Sequence, residues 1–146
     1  MIRLGVICGA VLLSAIMSSS TLGKSVDTTE ALVDAVRDGA EGDTIEVAAG
    51  TYALQVPLEP KSGMTLKGAG ADKTIITHVA GWKPSCKALP DPEMKTAGMD
   101  TQAYLIRLQD KAAGITISDL TLRGPQVHGA IYGSENKNLH LHHLRV

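Results

Sequence analysis

The chain has no phenylalanine, and aromatic residues fill only 3% of its 146 positions. A core must therefore be built from Ile, Leu, Val and Ala. Charge of one sign is also lacking: 14 Lys and Arg face 15 Asp and Glu, for a net charge of −1. That balance excludes the strong field that draws nucleic acid or an anionic membrane. Cysteine occurs twice, at Cys8 and Cys86. No phosphate loop, zinc motif or Ser/His/Asp signature is present, and Gly68-Ala69-Gly70 lacks the following helix that a dinucleotide site needs.

The one long apolar run, Leu4 to Met17, spans about 14 residues, short of the roughly 20 that cross a bilayer. Arg3 precedes it and Ser18-Ser19-Ser20-Thr21-Leu22-Gly23 comes after it, so residues 1–23 read as a secretory signal peptide. The expected location is secreted or periplasmic, with no membrane partner once the signal is removed. Cys86 is then the lone thiol, read as buried and inert; a bridge to a cysteine outside this chain is the alternative.

Glycine is frequent, at 15 residues, and β-branched residues abound, a composition suited to short stacked strands. In residues 24–41, Thr28 or Asp27 can cap a helix and Glu30 suits its positive end. Leu32, Ala35 and Val36 form its apolar stripe, and Gly39 stops it. Such a helix is expected to cap the exposed end of a stack. Residues 42–146 then read as coils. Strand-like alternation runs through Thr44–Val47, Leu54-Val56-Leu58, Met64–Lys67 and Thr74–Thr77, with Gly50-Thr51-Tyr52 as a turn and re-entry. Residues 78–103, with Gly81, Pro84, Pro90, Pro92 and Gly98, read as a long loop leaving the stack. A wall of a binding groove is its functional reading.

Near the end a pattern repeats at a fixed offset. Ile115, Ile117, Leu120 and Leu122 recur as Leu139, Leu141, Leu144 and Val146, each 24 residues later. A period in this range marks one small unit stacked along an axis. A leucine-rich repeat would place Asn where Pro125 stands and leaves the Ile115, Ile117 pair unexplained. A right-handed parallel β-helix explains all four positions, with three short strands per coil and Ser118-Asp119 at a corner. The fold expected is all-β: a right-handed parallel β-helix solenoid with a short N-terminal capping helix.

Gly42-Asp43-Thr44-Ile45-Glu46-Val47 with Gly50-Thr51-Tyr52, and then Thr65-Leu66-Lys67-Gly68-Ala69-Gly70-Ala71-Asp72-Lys73-Thr74-Ile75-Ile76, resembles the opening of secreted β-helix proteins of the pectate-lyase-like superfamily. The resemblance covers about residues 26–77 and 104–146. It speaks for the fold; lyases, hydrolases, epimerases and non-enzymes share such openings. Members that cleave acidic polysaccharides by elimination use a cation to neutralise the uronate carboxylate, a Lys or Arg base, and a proton donor to the leaving oxygen. None of these groups maps onto a residue here, so no catalytic residue is assigned.

The candidates for substrate contact are His140, His142, Arg145 and His128. His140 and His142 alternate with Leu139 and Leu141 and so share one outer face, about 7 Å apart. Arg145 projects from the next strand and His143 sits at the corner. The 24-residue shift stacks Thr116, Ser118, Asp119 and Thr121 beneath them. Two histidines could ligate a transition metal, but no third ligand is apparent, so no metal is assigned. His128 lies on the connection between coils. Asp110 and Glu135 fall at nearly equivalent places in successive coils and could share a calcium, but two carboxylates without a further oxygen cluster read as ordinary turn residues. No cofactor is identified, and a calcium cofactor would need coils downstream of this chain. Val146 falls inside a strand pattern and no polar cap is visible, so the chain reads as the N-terminal portion of a longer protein.

The functional expectation is the opening portion of a secreted carbohydrate-active enzyme, a polysaccharide lyase or hydrolase acting on acidic glycans, without a complete active site in this chain. A non-catalytic surface-adhesion or glycan-binding module is the alternative, and an inert remnant of a disrupted gene a third reading. The expected partner is a polysaccharide.

Overall fold

The computed structural model describes residues 23–82, 104–124 and 129–146. The expected leader up to Leu22, residues 83–103 of the long loop with Cys86, and His128 lie outside the described residues. The elements run β1 (Lys24–Val26), α1 (Thr29–Asp38), β2 (Thr44–Val47), β3 (Gly50–Leu54), β4 (Thr65–Gly68), β5 (Thr74–His78), β6 (Tyr104–Arg107), β7 (Thr116–Leu122), β8 (Gly129–Tyr132) and β9 (His140–Arg145).

Strand pairing among these elements is parallel throughout. Strands consecutive in the chain do not form hairpins; each pairs instead with a strand of the next coil, and the backbone winds as a β-solenoid. Three faces result. The first stacks β1, β2, β4 and the opening halves of β7 and β9. The second stacks β3, β5 and the closing half of β7. The third stacks Leu58, β6 and β8.

Inward positions hold apolar ladders, mostly aliphatic, and the core takes in Tyr52, Met64 and Tyr104 beside the expected Ile, Leu, Val and Ala. Ile45, Leu66, Ile117 and Leu141 stand in register on the first face. Tyr52, Ile76 and Leu122 do so on the second, and Leu58, Ile106 and Ile131 on the third. The 24-residue repeat is physical: Ile117 pairs with Leu141 and Leu120 with Leu144.

Corners repeat as well. Lys111 and Glu135 share left-handed backbone (φ 63° and 54°), as do Asp119 and His143 (57° and 52°). Gly63, Gly114 and Asn138 form a third such column, at 74°, 71° and 52°. Asn tolerates this region better than other residues with a Cβ, so it can replace glycine where the column continues. The second coil turns differently. Its corner loops outward, and a Cβ on Gly68 would lie 2.2 Å from the Asp119 carbonyl oxygen, so backbone packs on backbone there.

Helix α1 forms as its sequence directs. The Thr28 hydroxyl accepts from the Ala31 N–H at 3.1 Å. Leu32, Ala35 and Val36 are buried against β1, β2 and β3, so the helix covers the N-terminal side of the stack. No described helix is long and apolar enough to cross a membrane.

Four local expectations change. Val56 is 50% exposed, because β3 ends at Leu54 and the chain turns before Pro57; alternation does not continue to Leu58. Gly50 is the first residue of β3 rather than a turn. His78, the first residue of the expected loop, is instead the last residue of β5. Lys24–Val26 is too short to show alternation, yet pairs with β2 and buries Val26.

Candidate functional site

The outer side of the first face is polar because alternate residues leave the core. Two columns cross the coils in register. One is Thr44, Thr65, Thr116 and His140; the other is Glu46, Lys67, Ser118 and His142. His140 and His142 are exposed and share this face, as their spacing predicts.

The corner at His143 breaks the alternation. With His143 in left-handed backbone, the chain bends, and Leu144 is the next residue to pack against the core. His142 and His143 therefore both face solvent although adjacent. Asp119 occupies the same corner one coil below. The result is a cluster: His142 Nδ1 lies 3.1 Å from His143 Nδ1, and His143 Nδ1 lies 3.3 Å from Asp119 Oδ1. The two rings meet nearly edge to face, at 84°.

Buried Ser118 donates to the other carboxylate oxygen, Asp119 Oδ2, at 2.8 Å. This hydrogen bond holds the Asp119 carboxyl below its usual range, with His143, His142 and Lys67 adding smaller pulls in the same direction. The carboxylate is thus kept ionised with Oδ1 turned toward the imidazoles. Ligating atoms of Asp119, His142 and His143 all lie within 4.8 Å of one another. His140 stands outside this group.

Arg145 does not join it either. Its guanidinium pairs with Asp72 at 2.5 Å, tying the last described strand to the outward loop of the second coil. Beside that pair is a recess of ≈ 170 Å³ lined by Ala71, Ile75, Thr121 and Arg123 among others. Glu135 stacks on Lys111 rather than on Asp110, since Lys111 N–H donates to the Ser134 carbonyl. No ligating trio forms around that pair among the described residues.

One titratable group escapes the sequence reading. His78 continues the inward series Thr74, Ile76, His78 of β5 and is 4% exposed. Its Nδ1 donates to the Leu54 carbonyl at 3.2 Å, and Trp82 stacks on the ring at 3.6 Å. Nε2 is buried without a partner, and burial lowers the pKa of the imidazole, opposed by the Leu54 contact. An inward-facing histidine at the end of an alternating strand was the available signal.

No family model matches the chain, and no curated protein or solved structure matches it.

Proposed function

We propose that this chain belongs to an exported carbohydrate-active β-helix protein and engages an acidic polysaccharide along the outer side of its first face. The observation that carries the reading is the pair of polar columns that stay in register from β2 to β9, with Ser118 the one buried member. Rungs of a parallel stack repeat at about 4.7–4.9 Å, close to the advance of one sugar unit along an extended glycan. Hydroxyls of Thr44, Thr65 and Thr116 offer hydrogen bonds at that spacing, Lys67 offers positive charge, and the ring N–H groups of the histidines offer donors to carboxylates. Kinship with pectate-lyase-like proteins is part of the proposal. It is supported by the way the two resembling segments fold: β2 with β3 and β4 with β5 lie as successive coils in register.

Affinity electrophoresis tests the reading, with the full chain run through gels containing alginate, polygalacturonate, chondroitin sulfate or neutral dextran. Retardation by an acidic polymer, reduced in a Lys67→Ala, His140→Ala double variant, supports it. Equal mobility in all gels contradicts it. Appearance of ultraviolet absorbance from an unsaturated uronate would show turnover by this chain and contradict the assignment of binding without a complete active site.

A further inference from the structure

We infer that Asp119, His142 and His143 form a binding site for a borderline transition-metal dication of the Zn²⁺ class. Two imidazoles and one carboxylate are a donor set suited to Zn²⁺, Ni²⁺, Cu²⁺ or Fe²⁺ and poorly suited to Ca²⁺ or Mg²⁺, which take oxygen ligands. The spacing fits. With metal–ligand bonds of about 2.0–2.1 Å, donors at the tetrahedral angle stand about 3.3 Å apart. The His142–His143 and His143–Asp119 separations are 3.1 and 3.3 Å, two edges of such a polyhedron. The third pair of donors is within 4.8 Å, so a small rotation of an exposed imidazole closes the set.

Hydrogen bonding alone accounts for the trio less well. Two Nδ1 atoms in contact require one to donate and the other to accept, and the same His143 nitrogen also faces Asp119 Oδ1. A cation satisfies all three lone pairs together. The supporting shell is also present: the Ser118 hydroxyl occupies Asp119 Oδ2 and fixes the carboxylate, as outer hydrogen-bond partners do at metal centres. The cluster is open to solvent, so three protein ligands would leave a coordination position for water or an oxygen donor. Backbone pairing brings the ligands together across coils, Ser118 against His142, so the site exists only when the stack is formed. Metal binding here is independent of glycan binding; a chain that holds Zn²⁺ and no polysaccharide satisfies it.

The test is calorimetric titration of the full, untagged, chelator-stripped chain with ZnCl₂. Expected is one Zn²⁺ per chain, with affinity falling at least about ten-fold in Asp119→Asn, His142→Ala and His143→Asn. Asn tolerates the left-handed backbone at positions 119 and 143, and circular dichroism checks that each variant folds. His140→Ala should leave affinity within about two-fold, and Ca²⁺ in excess should not displace Zn²⁺. X-ray absorption of the Zn²⁺ complex should show two imidazoles. Binding that survives Asp119→Asn, falls equally in His140→Ala, or is displaced by Ca²⁺ would overturn the assignment.

Discussion

Replacing Ile117 by Ala removes the centre of the longest aliphatic ladder. Ile117 is fully buried, with Leu66 below it and Leu141 above. Three methyl or methylene groups are lost, about 2.4 kcal/mol at roughly 0.8 per group. Neighbouring coils are pinned by backbone hydrogen bonds on both sides, including Thr116 N–H to the Met64 carbonyl and His140 N–H to the Ile115 carbonyl. Little collapse into the void is expected, so a cavity contribution brings the cost to about 3–4 kcal/mol. Leu141→Ala deletes as many atoms at a position 45% exposed, covered from one side only, and should cost about half as much or less. Urea unfolding monitored by far-ultraviolet circular dichroism measures both. Equal losses for the two variants, or a loss below about 1 kcal/mol for Ile117→Ala, would refute an interior of stacked aliphatic rungs.

Gly68→Ala should destabilise by about 2 kcal/mol or more, because its Cβ meets the backbone of Asp119 at 2.2 Å and neither partner can step aside; urea midpoints test this. Asn138→Val, which forces a β-branched residue into φ 52°, should cost about 1–2 kcal/mol, whereas Asn138→Gly should be nearly neutral in the same assay. His78 has a lowered pKa in the folded chain, so the unfolded chain takes up its proton first as pH falls. The stability it confers is full above about pH 6.5 and declines as pH drops through that value. The drop in melting temperature between about pH 7.5 and 5.5 should therefore be smaller in His78→Leu than in the parent chain.

The solenoid was legible because its determinants are local and periodic. Inward aliphatics at 117, 120, 141 and 144 recur at the coil length, and stacking in register is a direct consequence of that offset. The cap was legible for the same reason: Thr28, Leu32, Ala35 and Val36 each act within two helical turns. Less visible was anything set by a bend. Alternation alone places His140 with His142 and leaves His143 apart, whereas the left-handed corner turns His143 outward beside His142 and above Asp119. No motif announces φ 52° at a histidine; the signal lay in the coil offset linking 119 to 143, which speaks of stacking and not of ligation. Arg145 stands on the outside as alternation predicts, but its partner Asp72 sits 73 positions away in a loop peculiar to the second coil. Contacts of that kind depend on the three-dimensional path of one corner and leave no periodic trace. Val56 shows the converse failure, where alternation persists in the sequence beyond the point at which the strand ends.

The ladder, the polar columns and the Asp119–His142–His143 cluster all require coils that lie over one another in a single register. Scalar coupling through hydrogen bonds, measured by NMR on isotopically labelled chain, reads that register atom by atom. Couplings from the His140 amide to the Ile115 carbonyl and from the Thr116 amide to the Met64 carbonyl are predicted. Coupling of either amide to a carbonyl of a different strand, or rapid solvent exchange of both amides, would contradict the stack.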